Sequence, residues 1–102
     1  MGKYYDMMLT SLKIYGMSNS TIKNYLAEMK KYVEYFMIPP DKLTKEHIYR
    51  YQAYLINDKK VGYSSFRIMV NALRFFYNKV LGWNWIIKYL PYQKKSPNFR
   101  LY

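Results

Sequence analysis

The sequence contains no cysteine, a single histidine and only six acidic residues. Without cysteine the chain can form neither a disulfide nor a thiolate metal site, and one histidine excludes a histidine-rich metal centre. It also has no glycine-rich phosphate loop and no constellation of paired carboxylates. No apolar run approaches the roughly 20 residues of a membrane span, and the N-terminus lacks a signal-peptide core. We therefore expect a soluble cytoplasmic protein without metal or cofactor.

Basic residues dominate among the charged residues of the sequence. Seventeen Lys and Arg residues against six acids give a formal net charge of +11 and an isoelectric point near 9.8. The length of 102 residues and the hydrophobic share of 51% are those of one globular domain. The excess of cations favours a polyanionic partner. Most cations are lysines in a chain also rich in tyrosine and asparagine, so biased codon usage is an alternative explanation.

Glycine and proline divide the chain into helical blocks, and no block alternates as a strand would. Four helices are predicted over residues 3–15, from a Ser18 cap to Pro39, over 45–58 after Thr44, and over 64–81, with a short fifth at 84–89. The apolar stripes expected to face inward are Tyr5, Met8, Leu9 and Leu12; Ile22, Leu26, Met29, Val33 and Phe36; and Ile48, Tyr51 or Gln52, and Leu55. The connections are short, which predicts an all-α fold, a four-helix bundle with a short fifth helix.

The fourth helix is apolar almost all round, so we expect it to be central. Its apolar positions are Phe66, Met69, Val70, Leu73, Phe76, Tyr77 and Val80, extended by Ile68, Ala72 and Phe75. The remaining surface is a polar seam of Arg67, Asn71, Arg74 and Asn78, with Ser64 one turn earlier. Arg and Asn side chains match the guanine and adenine edges of the DNA major groove. The alternative interpretation is that this seam is only the solvated edge that any central helix needs.

The second helix has a polar face that makes it a candidate companion. That face carries Ser20, Asn24, Ala27, Lys31 and Glu34, with Lys23 and Lys30 beside it. Small polar residues near the helix start and lysines further along suit a helix laid against a duplex. Lysine-rich solvated faces are common on helices, and the glutamates dilute the charge.

Three segments together resemble one family. GMSNSTIKNY (16–25), LTKEHIYRY (43–51) and SSFRIMVNALRFFYNKVLGW (64–83) are similar, in order and spacing, to the SAM-like N-terminal core-binding domain of tyrosine recombinases, the phage integrase family. The resemblance implies a SAM-like orthogonal bundle with a DNA-binding domain over residues 1–91. It also implies that residues 92–102 begin a linker to a catalytic domain outside this chain, as expected for a piece of a longer protein.

By this resemblance, the chain is a non-catalytic DNA-binding module that grips duplex DNA at a recombination half-site through its second and fourth helices. The implied DNA-binding residues are Ser20, Thr21, Lys23, Asn24, Lys31, Ser64, Ser65, Arg67, Asn71 and Arg74. Ser65 stands where the family usually has Thr, and it keeps the hydroxyl. Double-stranded DNA and other recombinase protomers are the implied partners, with no small-molecule substrate. The family's catalytic residues lie on a separate domain, and we interpret His47-x-x-Arg50, which imitates its His-x-x-Arg box, as coincidence.

Two other functions are open at this point. One is a protein-interaction bundle that binds an acidic protein or a recombinase protomer through exposed aromatic residues; its expected anchors are Phe75, Trp83, Trp85 and Phe99. The other, weaker alternative is an anionic membrane surface, for which no helix has a clean basic face opposite an apolar one.

Overall fold

The computed structural model describes residues 2–83, which form four α-helices. The helices are α1 (Gly2–Ile14), α2 (Asn19–Phe36), α3 (Lys45–Ala53) and α4 (Tyr63–Arg74). A 3-10 turn, Pro40–Lys42, joins α2 to α3, and π-helical segments extend α3 over Tyr54–Asp58 and α4 over Phe75–Val80. No strand occurs between residues 2 and 83, which confirms the all-α prediction. The fifth helix predicted at 84–89 and the linker from residue 92 lie outside the described residues.

Local chemistry explains where the first two helices begin and end. Gly16 adopts a φ of +74°, a left-handed conformation that glycine enters without steric cost, and α1 ends just before it. The Ser18 side chain accepts a hydrogen bond from the Thr21 backbone N–H at 3.2 Å, so Ser18 is the N-cap of α2 as predicted. Met37 ends α2 in the left-handed region, where its N–H bonds to the Val33 carbonyl.

Several boundaries differ from the sequence-based expectation; α2, for example, ends at Phe36 rather than at Pro39. Helix α4 begins at Tyr63 with Gly62 as its N-cap, so the predicted start at Ser64 was one residue late. Adjacent prolines favour an extended connection, and Pro39 is extended, but Pro40 is buried and begins the 3-10 turn. A proline at the first helical position loses no hydrogen bond, because that N–H has no partner within the helix.

The core is built from one face of each helix around α4. Its largest fully buried side chains are Tyr32, Tyr77, Phe66, Phe76, Met8, Leu12, Met29, Leu43, Ile48, Met69 and Leu73. Most of the predicted stripes lie inside, and Tyr51 rather than Gln52 is the buried member of the α3 stripe. Tyr5 was wrongly placed in the α1 stripe, since its side chain is 40% exposed. None of the helices in the described part of the chain is long and apolar enough to cross a membrane.

A hydrogen-bonded chain of two tyrosines crosses this core. The Tyr77 hydroxyl donates to the Pro40 carbonyl at 2.8 Å, and the Tyr32 and Tyr77 hydroxyl oxygens lie 3.1 Å apart. Because Tyr77 gives its proton to Pro40, Tyr32 is the donor of the second bond. These two hydrogen bonds connect α2 and the π-helical segment that follows α4 to the 3-10 turn, and they give both buried hydroxyl groups a partner.

The buried tyrosines predict a loss of stability at alkaline pH. Burial raises the pKa of Tyr32, Tyr51 and Tyr77 above the ordinary value of 10.0. Above pH 10 the folded protein therefore keeps phenol protons that the unfolded chain releases. The stability that these tyrosines contribute is fully present below pH 10 and is lost as the pH rises above it. Each adds a slope that rises toward about 1.4 kcal/mol per pH unit as the pH increases above 10.

Urea denaturation between pH 8 and 11 measures this loss. We expect Tyr32→Phe to flatten the alkaline decline, whereas the matched control Tyr49→Phe, at a side chain 72% exposed, leaves it unchanged. Equal declines in the two variants would contradict the explanation.

Candidate nucleic-acid interface

A cavity of about 260 Å³ lies between the N-terminal half of α2 and the outer edge of α4. Helix α2 contributes Thr21, Asn24 and Tyr25 to its lining. Helix α4 contributes five residues: Tyr63, Ser64, Arg67, Ile68 and Asn71. The polar edges of the two helices, predicted separately from the sequence, therefore meet in one concave surface.

A second cavity, of about 320 Å³, continues this surface toward the end of α4. It shares Tyr25 and Asn71 with the first cavity, and its other lining residues are Met17, Arg74, Phe75, Asn78 and Lys79. We call the two cavities together the α2–α4 groove. The lining of this groove includes no Asp or Glu, so its side chains offer cations, amides and hydroxyls. Such a surface is electrostatically suited to an anion.

The helical repeat of α4 explains why the seam residues share this groove. Ser64, Arg67, Asn71, Arg74 and Asn78 recur at intervals of three and four, which keeps them on one side of a helix with 3.6 residues per turn. The other sides of α4 are held in the core by its buried apolar residues. Arg67 is exposed, while Asn71, Arg74 and Asn78 are partly buried. The guanidinium groups are thus presented from a helix whose position the core fixes.

Asn71 occupies the junction of the two cavities and carries an unused acceptor. Its Oδ1 atom is shielded from solvent and has no hydrogen-bond partner in the described part of the chain. A buried acceptor without a donor costs about 1–3 kcal/mol. A donor that reached this point of the groove would recover that cost.

The Tyr25 and Phe75 rings line the groove, which the sequence pattern did not predict, and Tyr15 packs against Phe75 without lining either cavity. The Tyr15 and Phe75 rings meet edge to face at 5.5 Å, the Tyr25 ring lies 6.5 Å from Phe75, and the Lys79 Nζ atom lies 5.7 Å from the Tyr15 centroid. Tyr25 follows Thr21 by one helical turn, and this spacing was the signal that could have identified it.

The ten predicted DNA-binding residues divide into three groups. Those that line the groove are Thr21, Asn24, Ser64, Arg67, Asn71 and Arg74. Ser20 and Lys23 are exposed on α2 and line neither cavity. Lys31 and Ser65 line a different groove together with Glu28 and Glu34. The Lys31 Nζ atom is 3.3 Å from a Glu28 carboxylate oxygen, so this lysine is already paired.

The His-x-x-Arg imitation on α3 has a structural explanation. The His47 Nδ1 atom accepts a hydrogen bond from the Thr44 backbone N–H at 3.1 Å, which fixes the start of α3. The His47 ring also packs edge-on against Phe36 at 4.9 Å. No group of His, Asp and Glu residues within 2–83 is arranged to hold a metal ion. His47 therefore stabilises the helix start.

The aromatic anchors expected of a protein-interaction bundle are less exposed than that hypothesis needs. Phe75 is buried, so its expected role as an exposed anchor was wrong. Trp83 is partly buried and stacks on Tyr77 with ring centroids 5.2 Å apart. Trp85 and Phe99 lie outside the described residues.

The fold and the groove together define a class: a small all-α bundle with an acid-free concave face between two of its helices. A family model described as "Phage integrase, N-terminal SAM-like domain" matches residues 4–87. This match covers most of the chain, so the chain belongs to that family. The assignment agrees with the resemblance carried by the segments at 16–25, 43–51 and 64–83.

Two relatives in Sinorhizobium fredii are similar over much of the chain. Both are provisionally named integrase/recombinase. The protein y4qK is 35% identical over 89 residues, which cover 86% of this chain and 29% of that protein. The protein y4eF is 44% identical over 54 residues, which cover 52% of this chain and 22% of that protein. The chain thus spans less than a third of either relative's length. No solved structure matches it significantly.

Proposed function

We propose that this chain is the DNA-binding module of a site-specific tyrosine recombinase and holds duplex DNA at a recombination half-site through the α2–α4 groove. The observation that carries the proposal is the lining of the groove, where Arg67, Arg74 and Lys79 occur with amides and hydroxyls and without a carboxylate. The net charge of +11 adds a long-range attraction to phosphate.

The groove residues divide by chemistry into two roles. Arg67 and Arg74 carry the planar fork that pairs with the two acceptors of guanine, and the exposed Asn24 carries the donor and acceptor that pair with adenine. Asn71 carries the same amide, but its Oδ1 atom is shielded, so only a donor that enters the groove pairs with it. Thr21 and Ser64 lie near the starts of α2 and α4, where hydroxyl groups suit phosphate oxygens. We assign base contacts to the former residues and positioning contacts to the latter.

The α2 residues outside the groove have smaller proposed roles. Ser20 and Lys23 are exposed beside Thr21 and Asn24, so they can meet the phosphate backbone as it leaves the groove. Lys31 and Ser65 face Glu28 and Glu34, whose carboxylates repel phosphate. We therefore expect Lys31 and Ser65 to contribute less than the groove residues.

We further propose that the parent protein is a DNA-cleaving and rejoining recombinase whose catalytic residues lie on another domain. The name of y4qK, of which this chain matches 29%, supports that proposal. Residues 1–91 would then be the core-binding domain and 92–102 the start of the linker. Protomers of the same recombinase bound to adjacent half-sites would be its protein partners.

The salt dependence of duplex binding tests the DNA-binding proposal. We expect the association constant to fall steeply between 50 and 200 mM NaCl, because each phosphate contact releases condensed counterions; six contacts would give about a thousandfold loss. Fluorescence anisotropy with a labelled duplex measures the slope. A salt-insensitive complex with an acidic protein, together with no duplex binding at 50 mM salt, would favour the protein-interaction function instead.

A further inference from the structure

A second groove, lined by tyrosine and glutamate, lies along the C-terminal half of α2. Its volume is about 410 Å³, and Tyr35, Tyr51 and Tyr54 form its wall beside Glu28 and Glu34. We call it the tyrosine groove. Two of the six acidic residues of the chain lie here, whereas the α2–α4 groove has none. The tyrosine groove therefore offers carboxylate acceptors, which the α2–α4 groove lacks.

The three tyrosine rings form a continuous aromatic surface. The Tyr35 and Tyr54 rings lie 4.6 Å apart at an interplanar angle of 32°, and the Tyr35 and Tyr51 centroids are 5.4 Å apart. Tyr51 is buried, but Tyr35 is 45% exposed, so the surface presents one ring broadly to solvent. The faces of aromatic rings attract cations.

The two glutamates differ in how they are paired. Glu28 is bonded to Lys31, and its side chain is only 17% exposed. Glu34 is exposed and forms no ion pair with any residue in the range 2–83. Lys31 and Lys59 also line the groove and balance its charge locally, in a chain whose net charge is +11. The Glu34 carboxylate is thus an exposed acceptor, available to a cation, in the same lining as Tyr35.

We propose that the tyrosine groove docks an arginine-bearing segment of a partner protein. A guanidinium group is planar, stacks on aromatic faces and pairs with a carboxylate, and it is more weakly hydrated than an ammonium group. It can therefore stack on Tyr35 while it bonds to Glu34, and an apolar neighbour in the segment can fill the space beside Leu55 and Val61. This inference concerns a different surface from the α2–α4 groove and does not rest on DNA binding.

The test is an NMR titration of the whole chain with the blocked peptide Gly-Leu-Arg-Leu-Gly. The matched probe replaces arginine with citrulline, which keeps the shape and removes the charge. We expect the arginine peptide to shift the ring signals of Tyr35 and Tyr54 and to bind about fivefold more tightly than the citrulline peptide. We expect Glu34→Gln to weaken binding about threefold, while Glu46→Gln, at an exposed acid on α3 outside this groove, leaves it unchanged.

Three outcomes would overturn the proposal. They are equal binding of the two peptides, shifts that avoid Tyr35 and Tyr54, and concentration-dependent shifts of these rings without peptide, which would assign the groove to a second copy of the chain. Duplex affinity of Glu34→Gln, measured alongside, separates this inference from the proposed function. If Glu34→Gln weakens peptide binding and leaves duplex binding undiminished, the result supports the docking proposal.

Discussion

Arg67→Ala is expected to weaken binding to a preferred duplex by about 1–3 kcal/mol and to relax its sequence preference. Arg67 is exposed in the α2–α4 groove beside Asn24, on a helix whose other sides the core holds in place. A bidentate contact to guanine is lost with the guanidinium, and the alanine side chain replaces neither donor. We expect a similar loss for Arg74→Ala, at the other end of the groove. The measurement is anisotropy titration at fixed salt against a duplex that the chain selects from a random library and against a scrambled duplex.

A conservative substitution and a substitution outside the groove distinguish recognition of bases from attraction to phosphate by charge alone. Arg67→Lys keeps the cation but not the planar fork, so we expect it to preserve affinity for scrambled DNA and to lose the preference. Arg50→Ala removes another exposed arginine, on α3 and outside the groove, and is the matched control. If Arg67→Ala lowered affinity for selected and scrambled duplexes equally, Arg67 would be a phosphate contact. If it lowered neither, the groove would not be the DNA-binding surface.

Tyr77→Phe is expected to destabilise the fold by about 2 kcal/mol, although it removes a single oxygen atom. The Tyr77 hydroxyl donates to the Pro40 carbonyl and accepts from Tyr32, so its loss leaves the buried Tyr32 hydroxyl without an acceptor. The Pro40 carbonyl loses one of its two donors and keeps the Leu43 N–H at 3.3 Å. The cost of an unpaired buried polar group is about 1–3 kcal/mol, larger than the net gain from a typical hydrogen bond. The midpoint of urea denaturation near pH 7 measures the change.

Tyr32→Phe is the matched control for this prediction. It leaves the bond from Tyr77 to Pro40 in place, so we expect a smaller loss of about 1 kcal/mol. The double variant is expected to be about as stable as Tyr77→Phe alone, because the two hydroxyls act in one network. Strictly additive losses, or a Tyr77→Phe variant as stable as the parent chain, would contradict the described chain of hydrogen bonds.

Signals within a few neighbouring residues were enough to predict most of the fold. The Ser18 cap and the glycine stop at Gly16 depend on backbone positions within a few residues, so the sequence alone places them. The buried face of α4 and its polar seam follow from helical periodicity, because a helix of 3.6 residues per turn assigns each position a side. The meeting of Asn24 with Arg67 needed one further condition, that α2 and α4 be neighbours, and the family resemblance implied it.

Features that depend on tertiary contacts were missed. Tyr32 is fully buried because Tyr77 supplies a partner for its hydroxyl, and no pattern within α2 reveals that partner. Lys31 shares the α2 polar face with Asn24, but the crossing of the helices places it in the tyrosine groove and outside the α2–α4 groove. Helical periodicity assigns a side of the helix; it does not assign the neighbour that each turn meets.

Chemical-shift mapping of the chain with its selected duplex tests the central claim most directly. The claim is that the α2–α4 groove is the surface that meets DNA. We expect the largest backbone amide shifts at Thr21, Asn24, Ser64, Arg67 and Asn71, decreasing as salt is raised. Shifts concentrated around Tyr35 and Tyr54 or on the outer face of α3, with the α2–α4 groove unchanged, would contradict it.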